Sequence, residues 1–117
     1  MKTDNIIVDK SFHFSLRIVK LFGHLKENKV ERDLALQLLR SGTSIGANVE
    51  EAVGGASRKD FINKLTIAYK EARETRYWMK ILPEADLLEI KLAESFIHDC
   101  EEIIKILTSI VNTSKLK

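Results

Sequence analysis

Apolar residues return along this chain in steps of three and four, the period of a helix packed on one side. The cleanest run is Phe61, Leu65, Ala68, Ala72, Thr75, Met79 and Leu82, which alternates four and three without a break. Ser57-Arg58-Lys59-Asp60 opens this helix with a capping signal. Pro83 should end it, because proline lacks an amide donor and its ring clashes one turn back. Before it, Leu34, Leu38, Ile45, Val49 and Ala52 mark the buried face of a helix over about 29–54. Asn28-Lys29-Val30-Glu31 has the shape of a capping box at its start, and Gly54-Gly55 closes it. A first helix over about 10–27 carries Phe12, Leu16, Val19 and Phe22, with Phe14, Ile18, Leu21 and Leu25 beside them and Asp9 as N-cap. Leu92, Phe96, Cys100, Ile103, Leu107 and Ile110 carry the last helix over about 87–112, entered from Asp86-Leu87-Leu88-Glu89.

Short connections make sequential helices antiparallel, so the pattern predicts an all-α protein, an antiparallel up-down-up-down four-helix bundle. Its 117 residues suit one domain, 1–117. Five glycines and one proline are too few to turn a sandwich or barrel of this length. Only Ser41-Gly42-Thr43-Ser44-Ile45-Gly46-Ala47 departs from good helix composition, since each glycine costs up to about 1 kcal/mol relative to alanine. The helix is continuous or kinked there, with a loop still open. Small residues at this spacing would let helices two and three approach closely.

Charge changes the picture. The total is only +2. Residues 57–83, however, hold seven basic and three acidic residues, a net +4, and residues 84–114 hold two basic and seven acidic, a net −5. At about 100° per residue, Arg58, Lys59, Lys70, Arg73, Arg76 and Lys80 share one third of the third helix, with Tyr69 and Tyr77 among them. A basic stripe interleaved with tyrosines suits phosphates and stacked bases. From the residues alone the favoured reading is an ordinary solvated face whose charges pair with the acidic fourth helix. Apolar residues also spread beyond the core arcs. Ile67, Trp78 and Ile81 on the third helix and Ile90, Ile97 and Ile104 on the fourth give more apolar surface than one seam needs, which predicts self-association.

No catalytic set emerges. A di-iron bundle needs paired Glu-x-x-His motifs, whereas here Glu94 and His98 are four apart and unmatched, so no metal is expected. Ser41, Thr43 and Ser44 have no activating His or Lys nearby in sequence, and Gly42 to Gly46 is not a phosphate loop. The chain reads as a non-enzyme without a cofactor. The lone Cys100 reads as a small buried hydrophobe in a reducing compartment. With neither a leader-like apolar stretch nor a run near the ~20 residues that span a bilayer, a soluble cytoplasmic protein is expected, with no membrane partner. If the second hairpin turns near residues 55–57, Arg40 faces Ala72 and reaches Glu71 or Glu74, with Asn48 near Lys64. Arg40, Asn48, Glu51, Glu71 and Glu74 are thus a candidate structural polar network.

The run Gln37-Leu-Leu-Arg-Ser-Gly-Thr-Ser-Ile-Gly-Ala-Asn48, followed by Glu51-Ala52, resembles the signature of a bacterial four-helix-bundle family encoded in intervening sequences of 23S rRNA genes. Phe61, Lys64, Leu65, Ala68, Lys70-Glu-Ala-Arg-Glu-Thr75 and Tyr77-Trp78 are similar to its second block, and Phe12-x-Phe14 with Arg17-Ile-Val-Lys20 fits its opening. The resemblance covers residues 10–112, with Pro83 a minor departure. It implies a non-enzymatic, ring-shaped homopentamer, similar in architecture to the accessory protein of diversity-generating retroelements, which works with a reverse transcriptase and nucleic acid. RNA or DNA binding along the third-helix stripe is the function it implies. An interaction or assembly module serving a partner protein, with no nucleic-acid role, is the second reading.

Overall fold

The computed structural model describes residues 2–55 and 57–116, with side chains from residue 6 onward. Among them are four helices: α1 Lys2–Glu27, α2 Arg32–Val53, α3 Arg58–Glu84 and α4 Ile90–Lys115. At ~1.5 Å per residue, 27 residues of α3 reach about 40 Å. The molecule measures 47 × 21 × 19 Å, so the helices run along its long axis. Each helix packs on its neighbours in sequence, and α1 also meets α4, which closes an all-α four-helix bundle.

The interhelical turns correct two of the expected starts. Lys29 takes a left-handed φ of 60°, the Val30 amide donates to the Leu25 carbonyl (3.0 Å), and the Lys29 amide donates to Lys26 (3.1 Å). That is a Schellman ending for α1, completed by burial of Val30 beside Leu25. The residues read as a capping box therefore finish one helix. Glu31 caps the next, its carboxylate accepting from the Asp33 and Leu34 amides. Asp86 repeats the device at φ 59°, with Leu87 donating to Leu82 (2.8 Å) and Asp86 donating to Pro83 (3.0 Å). So α4 starts at Ile90, behind a Glu89 N-cap that makes no side-chain bond. Pro83 lies inside the last turn of α3, which ends one residue later. Asp9 caps nothing, because α1 already runs from Lys2 and buries Ile7 a turn before it.

Of the two apolar rows on α1, Phe14, Ile18, Leu21 and Leu25 are buried, while Phe12, Leu16 and Val19 remain 59, 46 and 53% exposed. The Ser41–Ala47 segment is unbroken helix. Its glycines serve the α1–α2 crossing, not the α2–α3 crossing expected from sequence. A Cβ on Gly42 would meet Ile18, and one on Gly46 would meet Ser15 and the Ser11 carbonyl. Ser41 instead faces α3, its hydroxyl 2.9 Å from that of Thr75, and both are fully buried.

Candidate nucleic-acid interface

The α1–α4 seam decides what the charge stripe can do. Lys10 pairs with Glu102 (2.6 Å), and Arg17 pairs with Asp99, donates to Ser95 (3.0 Å) and stacks 4.0 Å from the centre of the Phe96 ring. Lys10 holds the Glu102 carboxyl below its ordinary range by hydrogen bond and charge. Two acids of α4 are thereby drawn to α1 rather than to α3. Across the α3–α4 seam, Arg76 approaches Glu101 at 3.6 Å.

The rest of the stripe faces outward. Lys59, Lys70, Arg73 and Lys80 are exposed, as is Arg58 at the first turn of α3. Arg73 donates to the Tyr69 phenol oxygen (3.0 Å), with its guanidinium 5.7 Å from that ring's centre. Tyr77 is exposed and meets Trp78 edge-on, the ring centres 5.3 Å apart. Arg73 is thus folded over an aromatic ring with its remaining donors free to meet an anion.

On the opposite flank of α3, Arg40 bridges to Glu71 (3.0 Å) and to Glu74, whose carboxylate also accepts from Trp78 Nε1 (3.1 Å). Those carboxylates raise the pKa of Arg40, the Glu74 hydrogen bond most of all. Lys64 pairs with Glu51 (2.8 Å), which likewise raises its pKa. Asn48 does not join them: its amide donates to the Ser44 carbonyl one turn back (2.8 Å). Glu71 and Glu74, the acids in the middle of α3, are thus occupied on the α2 side, away from the basic stripe. Of the residues expected at an oligomer interface, Ile67 and Ile90 stand 43 and 56% exposed, while Trp78, Ile81, Ile97 and Ile104 are half-buried.

Sequence reasoning missed what lies beside the stripe. Arg76 faces Glu101, so two turns along Tyr69 faces Thr108, and a groove of about 230 Å³ opens there between α3 and α4. Tyr69 and Thr66 form one wall and Thr108, Asn112 and Lys115 the other, above Leu107 and Val111. The same register counting that joined Arg40 to Glu71, applied to the α3–α4 turn, would have found these residues.

Among the described residues, no group of three His, Cys, Asp or Glu is placed to hold a metal ion, and no helix is long and apolar enough to cross a membrane. Cys100 is fully buried, and burial pushes its thiol up to about 12, far from a reactive thiolate.

A family model described as 23S rRNA-intervening sequence protein matches residues 3–109. A solved structure of a Bacteroides thetaiotaomicron protein of unknown function, from the S23 ribosomal protein family, is 47% identical over 94% of this chain and 98% of its own, with a TM-score of 0.91. None of the curated proteins compared with the chain matches it. A match of this extent, over a bundle with the same overall path, places the chain in the 23S rRNA-intervening sequence protein family.

Proposed function

We propose that this chain is a non-enzymatic, oligomeric RNA- or DNA-binding accessory protein that holds phosphates along the outer face of α3. The observation that carries the reading is the partition of acids. Asp99 and Glu102 are engaged by α1, and Glu71 and Glu74 by Arg40, which leaves Lys59, Lys70, Arg73 and Lys80 facing solvent beside Tyr69 and Tyr77. Four cations on one helical face would meet successive phosphates, and the tyrosines would meet unstacked bases. A homopentameric ring, the assembly that the family resemblance implies, would repeat this face around an axis and multiply weak contacts. The second reading is an assembly module without nucleic acid, and the exposed row Phe12, Leu16 and Val19 supports the oligomer it needs. The two share the oligomer and differ in whether α3 binds anything.

Fluorescence anisotropy with a labelled structured RNA and a labelled duplex DNA separates them. With four phosphate contacts, raising salt from about 50 to 200 mM should weaken binding roughly 50- to 150-fold. The pair Lys70→Glu/Arg73→Glu should abolish binding at the lower salt while the melting temperature stays near wild type. No binding at the lower salt, or binding that ignores the double substitution, defeats the proposal in favour of the assembly module.

A further inference from the structure

The α3–α4 groove joins an acid-free lining to an aromatic wall and unused acceptors. The acid-free cleft at Arg17, Lys20 and His24 has no hydroxyl or amide side chain, and the one at Ser57, Arg58 and Ser114 lies at the end of the bundle. Of the two α1–α4 clefts, one is lined by Asp99 and Glu102 already matched to Arg17 and Lys10, and the α1–α2 cleft contains Glu50. No acidic residue lines the groove at Tyr69 and Thr108, while Lys115 does. The nearest acids on α4, Glu101 and Glu102, stand about two turns from Thr108 and already face Arg76 and Lys10. Arg73 adjoins it through Tyr69, and Lys70 follows Tyr69 in the exposed stripe.

Size and hydrogen bonding narrow the occupant further. Sites for drug-sized ligands occupy roughly 300–1,000 Å³. At about 230 Å³, this groove suits one planar ring system, with Leu107 and Val111 beneath it. Thr66 donates its hydroxyl proton to the Ile62 carbonyl (2.7 Å), and Thr108 donates its proton to Ile104 (2.8 Å). Both hydroxyl protons are therefore already used, and each oxygen keeps lone pairs for a donor arriving from the groove. Asn112 adds one amide that both donates and accepts. Tyr69 supplies an aromatic face, its phenol fixed by Arg73.

We infer that the groove takes one unstacked, amino-bearing base of single-stranded RNA. Tyr69 stacks on the base, while Thr66, Thr108 and Asn112 receive its exocyclic amine and the ribose 2′-hydroxyl, a donor that DNA lacks. Lys115, Arg73 and Lys70 hold the flanking phosphates. The inference rests on the nucleic-acid reading above and adds to it a site, a base class and a sugar.

Twelve-nucleotide oligo(C) and oligo(U) RNA, which differ at C4 in an exocyclic amine against a carbonyl oxygen, test it directly, with oligo(dC) as the sugar control. Oligo(C) should bind roughly two- to tenfold tighter than oligo(U), the worth of one neutral hydrogen bond, and tighter than oligo(dC). Thr108→Val/Asn112→Ala replaces two exposed side chains, so the bundle should keep its circular dichroism melt. It should erase the preference for oligo(C) and leave the salt dependence intact. Tyr69→Ala should weaken every RNA oligomer roughly five- to 150-fold. Equal affinity for oligo(C) and oligo(U), or a preference that survives the double substitution, overturns the groove while the α3 reading stands. Equal affinity for oligo(dC) overturns the RNA assignment. Failure of every oligomer to bind at about 50 mM salt overturns the groove, and the α3 reading falls with it only if the structured RNA and the duplex DNA fail to bind as well.

Discussion

A Cβ built on Gly42 would lie 2.7–2.9 Å from three carbons of Ile18, a side chain with no exposed surface. Isoleucine is β-branched and held to one χ1 rotamer in a helix, so it gives way poorly. Two effects of opposite sign therefore compete in Gly42→Ala. Helix propensity favours alanine by about 1 kcal/mol, and overpacking costs about 1–3 kcal/mol. The clash should win, with a net destabilisation of about 1–2 kcal/mol that Ile18→Val in the same chain partly relieves. Gly23→Ala is the control: nothing lies within 4 Å of its Cβ, so the same exchange should stabilise by about 0.5–1 kcal/mol. Thermal melting of the two variants checks this, since their shifts must have opposite signs. Two glycines of the same chain thus serve different ends, and only the packing partner tells them apart.

At the scale of the element, interior pattern and terminal signals differed in how much they revealed. The α3 face from Phe61 to Leu82 was legible because one apolar row satisfies the period, and Leu65, Ala68, Ala72, Thr75, Met79 and Leu82 are buried. The α1 face was not, because two rows satisfy the same period. The small residues Ser11 and Ser15, which admit Gly46 of α2, accompany the row that turns inward. Helix starts were misread for a related reason: a polar residue before an apolar run can cap the next helix or close the previous one. Lys29 and Asp86 do the latter, at positive φ and without the glycine usual there. Lys29→Gly and Asp86→Gly should therefore each stabilise the bundle by about 1 kcal/mol, by relieving the left-handed backbone of a side chain. Melting temperatures that fall for both would show that these turns do not hold the geometry described. The acid partition behind the α3 interface was hidden likewise. Segment totals of +4 and −5 suggest that α3 and α4 pair with each other, whereas Arg17 and Lys10 of α1 take Asp99 and Glu102.

At the scale of the whole molecule, the bundle leaves apolar surface on two different faces. One is the α1 row Phe12, Leu16 and Val19, which points away from the core; the other runs from Ile90 toward Ile97 along α4. If the two unlike patches meet each other, chains join head to tail, and such contacts close into rings or extend into filaments. An isologous dimer would need only one self-complementary patch. The wild-type chain is therefore expected to run in light scattering at a defined multiple of 13.4 kDa. Phe12→Glu/Val19→Glu should reduce it to monomer without loss of helicity, because these side chains are already exposed in the folded chain. Ile90→Glu should do the same from the opposite patch. Mixing the two monomeric variants is the decisive step. Each keeps the patch that the other has lost, so a head-to-tail interface reassembles one heterodimer and stops there. If the mixture stays monomeric, the patches do not meet each other and the head-to-tail assembly is wrong. If wild type is itself a monomer at micromolar concentration, these faces are not an interface between copies of this chain.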